Sequence, residues 1–140
     1  TYKRRLGSYA EASFLYCREG GIMQLQYQLT EEKLTIMMPQ EVDHHVAQHM
    51  SREVDCLMDS WHVRTLVFDF SGTEFMDSSG IGVLIGRKKR MDLHGGRVRA
   101  ANLTGRALQI FEKSGLKQII ETDEWDENQS MQKKLMQDMR

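Results

Sequence analysis

One proline, Pro39, and two cysteines, Cys17 and Cys56, are all that the 140-residue chain holds of either residue. Two cysteines are too few for a disulfide scaffold, and the expected setting is a reducing cytoplasm. With so little proline, chain breaks fall to the 11 glycines and to polar residues. Neither sign of charge dominates: 19 basic and 20 acidic side chains leave −1. The chain therefore has no bulk field that would select nucleic acid, and no direct nucleic-acid contact is expected. No apolar run approaches the ~18 residues of a membrane-spanning helix, so no membrane contact is expected. Residues Thr1 to Gly21 carry a basic cluster without the continuous apolar stretch of a secretory signal.

What is present is a foldable composition, 40% apolar and 28% charged. A chain of this length makes about one domain. Leu25, Tyr27 and Leu29 alternate with Gln24, Gln26 and Gln28, the period of a half-buried strand. Lys33 to Met38 reads as its hairpin partner across Thr30, Glu31 and Glu32. After Asp43, a candidate cap, Val46, Met50, Val54, Leu57 and Trp61 form one helical stripe. Leu66 to Phe70 reads as a central strand covered on both faces. A second helix follows Asp77 and Ser78, with Ile81, Leu84, Ile85 and Met91 inward, and ends at Gly95-Gly96. Val98 to Ala101 is a strand, and Thr104 caps a third helix that turns Ala107, Leu108 and Phe111 inward and stops at Gly115. Ile119-Ile120 reads as a last short strand and Glu124 to Met139 as an amphipathic helix. Alternating strands and helices predict an α/β fold, a mixed, mostly parallel β-sheet with packed helices.

The most informative stretch is Phe75-Met76-Asp77-Ser78-Ser79-Gly80-Ile81-Gly82. It places two hydroxyls and a carboxylate where a strand turns into a helix. Free amides there favour both a capping side chain and a phosphate, so cap and phosphorylation site are both open readings. No histidine base or oxyanion motif adjoins these serines, so no catalytic residue is assigned. Gly80, Gly82 and Gly86 are spaced G-x-G-x-x-x-G, one residue too long for a dinucleotide fingerprint, and they fall inside the helix. Ser78, Gly82 and Gly86 instead lie four apart, a shallow strip against which the fold or a partner can pack.

His45 and His49 are four apart on a helix, but no third ligand is marked, and no metal or other cofactor is expected. Arg87, Lys88, Lys89 and Arg90 read as a solvated face, with docking to an acidic partner as the second reading. Arg97 and Arg99 could extend that basic area, and Cys56 reads as a core thiol.

The segment from Phe75 to Arg87 resembles the phosphorylation segment of bacterial anti-anti-sigma factors, members of the STAS domain family (sulphate transporter and anti-sigma factor antagonist). Glu41-Val42-Asp43-His44-His45 is similar to their Glu-Leu-Asp-His-His segment, with Val42 in place of leucine. Phe111 to Ile120, through Ser114-Gly115-Leu116, resembles their late helix-to-strand turn. The similarity runs from about Met23 to Glu121. It implies residues 23–140 as the STAS domain with a C-terminal helix, behind an extension, residues 1–22, that short family members lack. Lys3, Arg4, Arg5 and Arg18 against Glu11 and Glu19 leave that extension at +2 and the remainder at −3.

The resemblance also implies a function. The unphosphorylated protein binds an anti-sigma factor that is a serine kinase, and the sigma factor is released. Phosphorylation of Ser78 ends this, and a serine phosphatase restores it. The protein is then a cytoplasmic phosphoprotein of transcription regulation, a binding switch and not an enzyme. The expected partner surface is Asp43, His44, Asp77, Ser78, Ser79, Gly80, Gly82 and Gly86. The pathway implied is sporulation; the alternatives are a stress-response pathway or a STAS domain that senses nucleotides by weak binding.

Overall fold

The computed structural model describes residues 25–123 and the backbone of three preceding strands, β1 (Ala10–Ala12), β2 (Leu15–Cys17) and β3 (Gly21–Met23). The other strands are β4 (Tyr27–Thr30), β5 (Lys33–Met37), β6 (Glu41–Val42), β7 (Thr65–Asp69), β8 (Phe75–Met76), β9 (Arg97–Ala101) and β10 (Glu121–Asp123). The helices are α1 (His44–Ser60), α2 (Ser78–Leu93) and α3 (Gly105–Ser114), with a 3₁₀ turn at Leu116–Gln118. Six strands form one sheet in the order β1-β4-β5-β7-β9-β10. β5, β7, β9 and β10 run parallel, and β4 and β1 add antiparallel at one edge. This is the mixed, mostly parallel sheet that the strand–helix alternation predicts. The final amphipathic helix, Glu124 to Met139, lies outside the described residues.

The core follows from periodicity. In β4 the buried residues are Tyr27 and Leu29, alternating with exposed Gln28 and Thr30, and in β5 Leu34 and Ile36, alternating with exposed Lys33 and half-buried Thr35 and Met37. β7 buries Leu66, Val67 and Phe68 in succession, as a strand covered on both sides must. α1 buries Met50, Val54 and Leu57, with Val46 and Trp61 partly buried against the same core. α3 buries Ala107 and Phe111, and the Phe111 ring meets Phe70 edge-on at 5.8 Å between centroids. Gly115 ends α3 at φ 80, the left-handed conformation in which a Cβ is strained.

Several expectations are corrected. The last strand is not Ile119-Ile120: the 3₁₀ turn intervenes, Ile120 is buried below it, and pairing with β9 begins at Glu121. Thr104 holds the N-cap position of α3 but its side chain makes no capping hydrogen bond. In α2 the deeply buried residues include Val83, whereas Ile81 and Ile85 only border the core. Cys56 is exposed, because it projects from α1 away from the Met50–Val54–Leu57 stripe.

The basic run is neither a bare solvated face nor a free docking patch. Arg87 Nε lies 3.2 Å from Asp55 Oδ1, and Arg90 pairs with both Asp55 and Asp59. Arg87 also donates to the Ser51 carbonyl. These contacts clamp α2 to α1, while Lys88 pairs with Asp92 one turn along α2. Burial works against the charge on Arg90, but hydrogen bonds and attraction from Asp59 and Asp55 outweigh it and raise its pKa. Arg97 pairs with Glu121 at 2.6 Å, and Arg99 approaches the same carboxylate, so this couple ties β9 to β10.

Candidate functional site

Two chain corners of the same design are laid side by side. In each, a two-residue strand ends in an apolar residue, an aspartate follows, and a helix begins: Val42-Asp43-His44 and Met76-Asp77-Ser78. The strands β6 and β8 pair in parallel, with Val42 opposite Met76. The loops that deliver them are zipped together. Thr73 Oγ1 donates to the Pro39 carbonyl at 2.9 Å, and the Glu74 and Phe75 amides donate to the Gln40 carbonyl. Gln40 Nε2 donates to Glu74 Oε2, and the Asp77 amide donates to the Val42 carbonyl at 3.1 Å. The starts of α1 and α2 are therefore held in a fixed relation.

Each aspartate caps its helix. Asp43 Oδ1 accepts from the Val46 amide at 2.9 Å. Asp77 Oδ1 accepts from the Ser79 amide at 2.8 Å and the Gly80 amide at 3.3 Å. Both caps have extended backbone angles, as the transition from strand to helix requires. Ser78 is exposed at the first position of α2, and Ser79 is half-buried with its Oγ 3.4 Å from Nδ1 of His44 on α1.

The three glycines divide into two kinds. A Cβ on Gly80 would collide with the Met76 side chain and lie 3.0 Å from Val42 Cγ1. That glycine allows α2 to sit on the β6–β8 pair. A Cβ on Gly82 or Gly86 would meet nothing within 4 Å. Among the described residues nothing packs against Gly82 or Gly86, so their side of α2 is open to a further packing element. Gly80→Ala is expected to destabilise the fold by about 1–3 kcal/mol through overpacking, read as a lower midpoint in urea unfolding.

Phe75, at the mouth of the second corner, is 45% exposed. Sequence reading missed this, because an aromatic in a strand segment ordinarily reads as core. Glu41, Asp43 and Glu74 are exposed around it, and no lysine or arginine occurs in residues 38–51 or 71–86. His45 and His49 stack edge to face at 4.8 Å, and among the described residues no three His, Cys, Asp or Glu side chains gather as a metal site would require. No helix among the described residues is long and apolar enough to cross a membrane.

A parallel sheet with an antiparallel edge, and an exposed serine beside two aspartate-capped helix starts, define a class. The chain belongs to the STAS domain family, whose model matches residues 24–128. It is 30% identical to the anti-sigma F factor antagonist of Lysinibacillus sphaericus over 88 residues, covering 63% of this chain and 75% of that protein. It is 40% identical to the anti-sigma-B factor antagonist of Bacillus subtilis over 47 residues, 34% of this chain and 43% of that one. Among solved structures, the anti-sigma factor antagonist SpoIIAA in its unphosphorylated form superposes with a TM-score of 0.63 at 25% identity, covering 78% of this chain and 96% of that one. The phosphorylated form of the Bacillus cell fate determinant SpoIIAA gives 0.58 at 26% identity, covering 76% and 97%.

Proposed function

We propose that this chain is an anti-sigma factor antagonist switched by phosphorylation. Its unphosphorylated form binds an anti-sigma factor serine kinase and releases the sigma factor. Phosphate on Ser78 ends the interaction, and a serine phosphatase restores it. Residues 23–140 carry this role, with residues 1–22 as an extension, and the protein acts in the cytoplasm as a substrate and binding switch, not as a catalyst. The observation that carries the reading is the exposure of Ser78 at the first position of an aspartate-capped helix, next to a second helix start. The likeness to a protein solved both with and without phosphate supports it.

The docking surface is formed by Asp43, His44, Asp77, Ser78, Ser79 and the open Gly82/Gly86 strip, with Gly80 holding the strip in place from below. Because nothing in the described fold opposes a side chain at Gly82, Gly82→Ala is expected to stabilise the isolated protein by up to about 1 kcal/mol of helix propensity. The same methyl group intrudes on the docked partner, so affinity falls while the melting temperature rises. A variant that melts higher and binds unchanged would remove Gly82 from the interface. The function itself is tested by adding the unphosphorylated chain to a preformed anti-sigma–sigma complex and measuring free sigma factor. Release that disappears after treatment with kinase and ATP supports the reading.

The sporulation pathway is the first assignment, on the similarity to the Lysinibacillus protein. The higher local identity to the anti-sigma-B factor antagonist favours a stress-response partner as the second. Pull-downs against each anti-sigma factor separate them, and calorimetry with ATP and GTP tests direct nucleotide sensing.

A further inference from the structure

Two hydroxyls stand side by side at the start of α2, on Ser78 and Ser79, yet their surroundings differ. Successive helical residues point about 100° apart, so the two face different neighbours. Ser78 is exposed. Ser79 is half-buried, its amide is held by Asp77 Oδ1 at 2.8 Å, and its Oγ lies 3.4 Å from His44 Nδ1 across the gap between helices. Either atom of that pair can donate, according to the imidazole tautomer. The contact spans α1 and α2, so it depends on the β6–β8 pairing that places the two corners together.

We infer that His44 is a positioning residue that directs phosphorylation to Ser78 by holding the Ser79 hydroxyl away from the kinase. The inference rests on the reading above that this helix start is phosphorylated. In the transfer, a serine Oγ forms a bond to the γ-phosphorus of ATP while the bond to the ADP oxygen breaks. The hydroxyl proton passes to a base of the kinase. The attacking oxygen must be free to align with the breaking bond. Ser78 meets that demand as it stands. Ser79 must first leave His44 and turn out of its half-buried place. Without the imidazole, the Ser79 side chain gains its other rotamers, and the choice between adjacent serines relaxes.

The test uses the full chain, ATP and a purified anti-sigma factor kinase, with fragment mass spectrometry to assign the phosphate. In the wild-type chain the phosphate sits on Ser78. His44→Ala is expected to raise the share on Ser79 roughly two- to tenfold, the range a single hydrogen bond commands. His44→Asn, whose amide can reach the same hydroxyl, returns the share towards wild type. In the Ser78→Ala background the same order appears as rates: His44→Ala accelerates phosphorylation of Ser79, and His44→Asn does not. Matching urea midpoints establish that the variants are folded. An unchanged Ser79 share in His44→Ala overturns the inference, and so does an equal rise in His44→Asn. A wild-type chain that takes no phosphate on either serine removes the phosphorylation reading itself, a different result from a wild-type chain phosphorylated on Ser78 whose His44→Ala variant keeps the same site.

Discussion

Ser78→Asp is expected to weaken binding to the anti-sigma factor roughly a hundredfold, since like or unpaired charge in an interface costs several kcal/mol. Ser78→Ala is expected to bind as the wild type does. The physical reason lies in what surrounds Ser78. The face already carries Glu41, Asp43 and Glu74 at its surface, and the two segments that build it, residues 38–51 and 71–86, contain no lysine or arginine. A docked partner covers a neutral hydroxyl, and a charge in its place must be desolvated among other carboxylates. A kinase that serves this serine holds nucleotide phosphates opposite it, so phosphoserine meets like charge across the interface as well. The effect is on binding and not on folding. An anion at the first turn of α2 is favoured by the free amides and the helix dipole, so the aspartate variant should melt at or above the wild-type temperature. Calorimetric titration beside a thermal melt separates the two. Loss of affinity together with loss of the folded state would contradict this account.

Glu53→Met is expected to stabilise the protein by about 3 kcal/mol at pH 8 and by much less at pH 5. Glu53 lies on α1, only 3% exposed, and neither carboxylate oxygen has a hydrogen-bond partner among the described residues. Burial pushes its pKa up to about 7 from the ordinary 4.5. The folded state therefore holds this proton more tightly than the unfolded chain does. Below the unfolded value the group is neutral in both states and costs nothing in charge. As pH rises above 4.5 the unfolded chain ionises first, and stability falls until about pH 7, where the folded group ionises too. The loss is then complete, of order 3 kcal/mol at about 1.4 kcal/mol per pKa unit. Methionine has similar length and no charge to bury. Urea unfolding of wild type and variant at the two pH values measures the difference. An equal gain at both pH values would show that packing, and not ionisation, governs this position.

The order of elements was legible in the sequence because each carries a strong local signal. The alternation at Leu25, Tyr27 and Leu29, the unbroken apolar run Leu66 to Phe68 and the stripe Met50–Val54–Leu57 are all local patterns, and all hold. The caps at Asp43 and Asp77 were legible for the same reason, since each needs only its own following amides. What could not be read is what depends on distant partners. β6 and β8 are two residues each and exist only because they pair with one another. The clamp of Arg87 and Arg90 on Asp55 and Asp59 joins residues more than thirty apart, so a basic run looked like a solvated face. Glu53 escaped because an apolar stripe says nothing about a carboxylate beside it. Six of the eight candidate site residues lie at the two helix starts, with Gly82 and Gly86 one and two turns along α2, but the division among the glycines depends on three-dimensional contacts. Only these show that Gly80 is filled by Met76 and Val42 while Gly82 and Gly86 face open space.

The central claim is that Ser78 is the switch. Its most direct test is incubation of the full chain with ATP and the purified anti-sigma factor kinase, followed by mass mapping of the phosphate. The account predicts one phosphate on Ser78 and no stoichiometric phosphorylation of the Ser78→Ala chain. A Ser78→Ala chain that takes up phosphate stoichiometrically would contradict it.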